Sequence, residues 1–266
     1  MHWLRRLCRP AAPPAPDPMT EARAAFDRGE YGTALGIWEP LARAGAAEAQ
    51  AGIGLCFLRG LDVPADPSLA EKWLSLASAG GHAVARRELA ALLRQGAEGV
   101  EADPGRAAQL YRAAAEGGDA IAQDVWSLIL LEGQDGVAVD VAEARRWALA
   151  AAEAGIAPAM MRLGMFYHNA QGVERDVAEA ARWWQGAALR GEADGQAMFG
   201  AALHLGAGVA PDPLAAMVWL LRATRGGSTL ARPFLPAVRA SLTPAELSQA
   251  LALSSEPLPL VTGGVG

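Results

Sequence analysis

The chain has 266 residues, 52% of them apolar, and a formal net charge of −6. That length suits one large domain or a short repeat array with a sizeable core. The acidic balance argues against a nucleic-acid binder, which needs a basic face to displace counterions from phosphate.

Alanine, leucine and glycine dominate, and β-branched and aromatic residues are few, which favours helices over strands. No apolar run approaches the roughly 20 residues that span a bilayer. The chain opens on "MHWLRRLCRPAAPPAPDP". Prolines stand where a secretory signal would place an apolar stretch of about 7–15 residues. Residues 1–18 therefore read as a disordered, proline-rich leader, and Met19, which begins a helical pattern, offers a second translation start. Cys8 in the leader and Cys56 in an apolar helical stretch do not make a disulfide framework. Cys56 is expected to be a buried core residue.

Residues 19–45 predict a helical hairpin. A motif then recurs five times: "LDVPADPSLAEKWLSLASAGG" from Leu61, "EGVEADPGRAAQLYRAAAEGG" from Glu98, "DGVAVDVAEARRWALAAAEAG" from Asp135, "QGVERDVAEAARWWQGAALRG" from Gln171 and "AGVAPDPLAAMVWLLRATRGG" from Ala207. Its aspartates, Asp66, Asp103, Asp140, Asp176 and Asp212, are 36–37 residues apart. The valines Val63, Val100, Val137, Val173 and Val209 keep the same step, as do Trp73, Leu110, Trp147, Trp183 and Trp219. A period of 20–50 residues signals a solenoid.

Each copy predicts two helices. Helix A, typified by "APAMMRLGMFYHN" from Ala157, ends at a glycine or small residue before a Gly-Val turn. Helix B opens at the repeated aspartate, an N-cap that satisfies free N–H groups and suits the positive end of the dipole. Pro67, Pro104 and Pro213 follow at the first helical position. Glu143 and Glu179 stand three residues after their aspartates, at capping-box spacing. Ala180, Trp183 and Ala187 form one stripe at spacings of three and four, so the tryptophan register is expected to pack inward and Trp184 to be exposed. A closing glycine such as Gly155 or Gly191 caps helix B. Small residues (Ala70, Ala107, Ala144, Ala180 and Ala216; Gly54, Gly164 and Gly200) are expected to let paired helices approach closely.

These residues resemble the Sel-one-like repeat (SLR), a branch of the tetratricopeptide superfamily. The copy from Ala159 to Gly191 fits that pattern almost throughout, with Ala170 where glycine is usual. The second copy departs at Leu110 and Ala90. The resemblance implies an all-α fold, a right-handed α-solenoid of antiparallel helix pairs, with about five central repeats plus terminal caps. The expected organisation is a leader (1–18), a tetratricopeptide-like hairpin (19–45) with Trp38 in the tryptophan register, and repeats at 46–81, 82–118, 119–155, 156–191 and 192–227. Capping helices (228–253), the second opening at Thr243, Pro244 and Glu246, and a flexible tail (254–266) follow.

No H-E-x-x-H, C-x-x-C, G-x-S-x-G or phosphate-loop motif occurs. His168 and His204 occupy equivalent positions of successive repeats, which makes a metal pair conceivable. Without further ligands they read as groove-lining polar residues. Arg86–Arg87 and Arg145–Arg146 read as solvated faces, and the tryptophans as core packing over a stacking ladder. No cofactor, metal or catalytic residue is expected.

In the tetratricopeptide family helix A lines the concave groove. The resemblance therefore implies a partner surface of Arg59, Arg87, Arg94, Gln95, Asp124, Glu132, Met161, Met165, His168, Asn169 and His204, suited to an extended peptide or an amphipathic helix. Methionine there gives adaptable apolar contact. The expectation is a non-enzymatic interaction scaffold or adaptor in a bacterial-type cytoplasm, with a protein or peptide partner. The alternatives are a periplasmic or envelope regulator, if the basic start is a damaged signal, and a repeat-fold hydrolase.

Overall fold

The computed structural model describes residues 17–258; residues 1–16 of the predicted leader and the last part of the predicted tail lie outside them, while the last two leader residues are ordered, Asp17 as the N-cap of the first helix and Pro18 as its first residue. The described residues form fourteen helices: α1 (Pro18–Asp27), α2 (Tyr31–Arg43), α3 (Ala47–Arg59), α4 (Pro67–Ala79), α5 (Ala83–Gln95), α6 (Pro104–Glu116), α7 (Ala120–Glu132), α8 (Val141–Glu153), α9 (Ala157–Asn169), α10 (Val177–Leu189), α11 (Ala193–Leu205), α12 (Pro213–Arg225), α13 (Leu235–Ala240) and α14 (Pro244–Ser255). The expected all-α architecture of paired helices is what forms. Helices α3, α5, α7, α9 and α11 are the five A helices, and α4, α6, α8, α10 and α12 the five B helices. The chain divides into two compact units. One runs to Leu92 and includes Ala97–Glu101; the other comprises Leu93–Gly96 and Ala102 onward.

The repeated aspartates do cap helix B. Asp66, Asp103, Asp140, Asp176 and Asp212 accept backbone N–H groups of Leu69, Arg106, Glu143, Glu179 and Ala215, each at 2.9 Å. The capping boxes expected at Glu143 and Glu179 do not form. The cap's own N–H is already spent: Asp140 donates it to the Leu130 carbonyl at 2.9 Å and Asp176 to that of Tyr167 at 3.1 Å. Asp66, Asp103 and Asp212 donate in the same way to Phe57, Leu93 and Leu203, which ties the start of each B helix to the last turn of its A helix. Glu143 and Glu179 bond forward instead, to Arg146 and Trp147 and to Arg182. A full box does form at Thr243 and Glu246.

Helix A ends in a left-handed residue. Gly60, Gly133 and Gly206 supply it without a Cβ penalty, whereas Ala170 takes φ 56° in the fourth repeat. Helix B ends two residues before a left-handed glycine: Ala154 and Arg190 hold the C-cap, and Gly155 and Gly191 follow them.

The packing corrects most of the predicted tryptophan stripe. Trp183 is buried as expected, at 8% exposure, but Trp73, Leu110, Trp147 and Trp219 are only partly buried. The sealed register is the next residue, the eighth of helix B: Leu74, Tyr111, Ala148, Trp184 and Leu220, none more than 5% exposed. Trp184 is therefore core, at 2% exposure. Trp38 is the eighth residue of α2, so it belongs to this sealed register. Facing it are the small residues of helix A. A Cβ on Gly54 would come within 2.8 Å of Leu74, and one on Gly200 within 2.9 Å of Leu220. The alanines Ala70, Ala107, Ala144, Ala180 and Ala216 are fully buried as expected.

Neighbouring hairpins are latched by a side chain the periodic reading passed over. The fourth residue of helix A reaches back to a carbonyl near the end of the preceding B helix: Gln50 to Ala42 at 3.0 Å, Gln123 to Ala115 and Gln196 to Ala188 at 3.3 Å. Arg86 does the same to Ser78 at 3.3 Å. Met160 holds that place in the fourth repeat and cannot.

At the C-terminal end α14 runs through Ser255, past the point where the flexible tail was expected to start. Ser254 is buried, and Arg222 and Arg225 donate to the carbonyls of Leu253 and Ser254.

Candidate interaction surface

Helix A buries its third, seventh, eighth and tenth residues, which leaves the twelfth and thirteenth to face outward in part, joined by the ninth in every repeat but the last. The eleven predicted groove residues fall into two groups.

The charged ones are largely engaged within the fold. In the first unit, Arg59 and Arg87 both reach the buried Glu88 carboxylate, at 3.2 and 2.9 Å. In the second, Arg94 pairs with Asp135 at 2.9 Å and also bonds Gln134. Asp124 on α7 pairs with Arg162 on α9, and Glu132 accepts from Gln134. Arg59–Glu88, Arg94–Asp135 and Asp124–Arg162 join one repeat to the next, and together the pairs leave little net charge for a partner to read. Gln95 is exposed.

The second group, on α9 and α11, is neutral and apolar. Met161 and Met165 are partly buried and lean against the core cluster of Trp184, Phe199 and Leu203. Asn169 is exposed, and His204 is partly so. His168 is drawn inward: its ring lies 5.3 Å from that of Trp184, and its Nδ1 is buried without a hydrogen-bond partner. It supports the core at least as much as it faces outward. No group of three or more His, Cys, Asp or Glu side chains placed to hold a metal occurs among the described residues.

Sequence reasoning missed Leu205. This last residue of α11 is 64% exposed, at the place held by Arg59, Gln95, Glu132 and Asn169 in the other repeats. The signal was available, since a leucine where four other copies carry polar residues breaks the amphipathic pattern.

Elsewhere in the second unit an open cleft of about 630 Å³ lies between α6 and the loop that precedes α8. Its charged side chains are committed. Asp140 caps α8, Glu143 accepts from Arg146 and Trp147, and Arg112 pairs with Glu116 at 2.9 Å. No helix among the described residues is long and apolar enough to cross a membrane.

A family model described as "Sel1 repeat" matches the chain five times, over residues 47–82, 83–119, 120–156, 157–192 and 193–228. Among solved structures, a Sel1 repeat protein from Oxalobacter formigenes is 28% identical with a TM-score of 0.73, over 89% of this chain and 98% of that one. A second, c5321, described as a protective antigen present in uropathogenic Escherichia coli strains displaying an SLR fold, is 24% identical with a TM-score of 0.76. That likeness covers 93% of this chain and 58% of that one. A comparison with curated proteins gave no match.

Proposed function

Because the chain belongs to the Sel1 repeat family, we propose that it is a non-catalytic scaffold that binds a peptide or helix of a partner protein along the outward face of its A helices. The Sel1 repeat fold is typical of protein–protein interaction, and the family is generally non-catalytic. The observation that carries the reading is the neutral surface on α9 and α11, where Met161 and Met165 are partly accessible and Leu205 stands 64% exposed. Methionine offers adaptable apolar contact, and an exposed leucine at the end of the next A helix is the kind of anchor a helical ligand meets in a groove. Neither the family nor the geometry supports the hydrolase alternative.

The test is affinity capture from native extract with the wild type and a Met165→Ala/Asn169→Ala/Leu205→Ala variant of unchanged circular dichroism. His168 is left intact because it supports Trp184. A protein retained only by the wild type is the expected result. Identical capture lists would overturn the A-helix surface as the working face. The same reading keeps the chain in a bacterial-type cytoplasm, and its recovery in a periplasmic or envelope fraction would overturn that part.

A further inference from the structure

The C-terminal cap carries a second concavity, lined by none of the predicted groove residues. Between α12, α13 and α14 lies a groove of about 440 Å³ lined by Met217, Leu221, Leu235, Pro236, Leu247 and Leu251, with Arg239 as its charged member. Leu251 is 52% exposed. Terminal units of a repeat array ordinarily turn a polar face outward, because no neighbour covers them. Helix α14 turns an uncharged one outward: from Leu247 to Ser255 it has no charged side chain, and Leu251 stands exposed beside Ser248 and Gln249.

The charge around the groove says what fits it. From Pro213 to Leu258 the chain has four arginines (Arg222, Arg225, Arg232, Arg239) and two acids (Glu246, Glu256). This end is thus a basic pole on a chain of net charge −6. Neither acid lines the groove, and Glu256 lies beside Arg222 past the end of α14. Glu246 is held by Thr243 in the capping box, at 2.8 Å from its N–H and 2.7 Å from its hydroxyl. Arg222 and Arg225 are turned to the end of α14, toward Leu253, Ser254 and Ser255. Arg239, at the groove, has no hydrogen-bonding or ionic partner among the described residues.

We propose that this groove docks an acidic amphipathic segment of a partner protein. Leucine-type side chains seat among Leu221, Leu235, Leu247 and Leu251, and a flanking carboxylate pairs with Arg239. Charge selects this occupant over two others. A second copy of the chain would bring the same patch to a two-fold interface, setting one basic pole against another. The chain's own residues 259–266 contain no acidic side chain.

The test uses the full chain and a set of fluorescent helical peptides of about 16 residues, all with the same leucine stripe and with glutamate, serine or lysine on the flanks. Anisotropy at low salt is expected to rank glutamate over serine over lysine, with about tenfold or more between the extremes. Arg239→Glu should reverse the ranking. Leu251→Asp should abolish binding without changing the circular dichroism or melting temperature, since Leu251 is half exposed. The proposal is overturned if no peptide binds, if the ranking is flat, or if it survives Arg239→Glu. It is also overturned if sedimentation shows a dimer that Leu251→Asp dissociates, which would make the occupant a second copy. A more than tenfold gain in peptide affinity on deleting 259–266 would identify the chain's own end as the occupant and likewise overturn it.

Discussion

A β-carbon on Gly164 would stand 2.2 Å from Nε1 of Trp184. The glycine is therefore the hole into which the indole fits, and the two residues, on α9 and α10, define the centre of the fourth repeat. His168 closes the same pocket one turn further along α9. Trp184 cannot retreat, because it is already 2% exposed. Gly164→Ala is expected to destabilise the protein by about 1–3 kcal/mol, the usual range for forcing extra volume into a packed core. Ala gains helix propensity there, which offsets about 1 kcal/mol at most. Thermal unfolding of the variant checks this; an unchanged midpoint would mean that Trp184 has room to move.

Ala170 holds a left-handed conformation that Gly60, Gly133 and Gly206 hold in other repeats. A Cβ in that conformation costs about 1–2 kcal/mol, against about 0.5–1 kcal/mol for the greater freedom glycine loses on folding. Ala170→Gly should therefore stabilise the protein by roughly 0.5–1 kcal/mol. Denaturant titration should show a higher midpoint at constant slope.

The cap geometry separates two residues that sequence alone pairs. Asp176 accepts the N–H groups of both Ala178 and Glu179, while Glu179 bonds forward to Arg182 at 2.9 Å. Asp176→Ala should cost about 1 kcal/mol, as removal of an N-cap does. Glu179→Ala removes an i,i+3 ion pair and should cost about 0.2–0.5 kcal/mol. Equal losses in paired melts would show that a capping box forms after all.

Glu192 caps α11, accepting from Asp194 at 3.2 Å and from Gly195. Burial nevertheless raises its pKa above the ordinary glutamate value, outweighing the two backbone hydrogen bonds. A carboxyl whose folded pKa lies above its unfolded one favours the native state more when protonated, so its contribution improves as pH falls through the folded value and is lost as pH rises. Other carboxylates move the opposite way, so the comparison must be with Glu192→Gln, which keeps the capping oxygen. The melting temperature of the wild type relative to this variant should rise between pH 7 and pH 4. A constant difference would show that Glu192 titrates normally.

Cys56 is fully buried on α3, and its pKa is pushed up to about 11, chiefly by burial and then by the Asp62 charge. In a Cys8→Ser background the thiol should not react with a disulfide reagent at pH 8 until the protein is unfolded. Rapid stoichiometric labelling of the native chain would show that the first repeat opens readily.

The repeat, its period, its two helices and the aspartate caps were legible in the sequence because they are local. A cap is decided within four residues, and recurrence at 36–37 residues needs no knowledge of what touches what. The packing face of helix B was not decided that way. Residues four, seven and eleven make a stripe at spacings of three and four, and so do residues four, eight and eleven. Helical periodicity permits both, and tryptophan's recurrence at the seventh place drew the reading there. The approach of helix A, through the gaps at Gly54, Gly164 and Gly200, selects the eighth.

The same division holds for the surface. That helix A carries outward residues such as Met165, Asn169 and His204 follows from register. That Arg94 is tied to Asp135, Asp124 to Arg162, and His168 to Trp184 does not, because each pairing joins residues 16–41 positions apart. The sequence by itself determined the unit that is repeated and where each helix begins. Tertiary structure alone decided which side chains are spent on joining one helix to the next and which stay free, since that depends on contacts between elements and not on order along the chain.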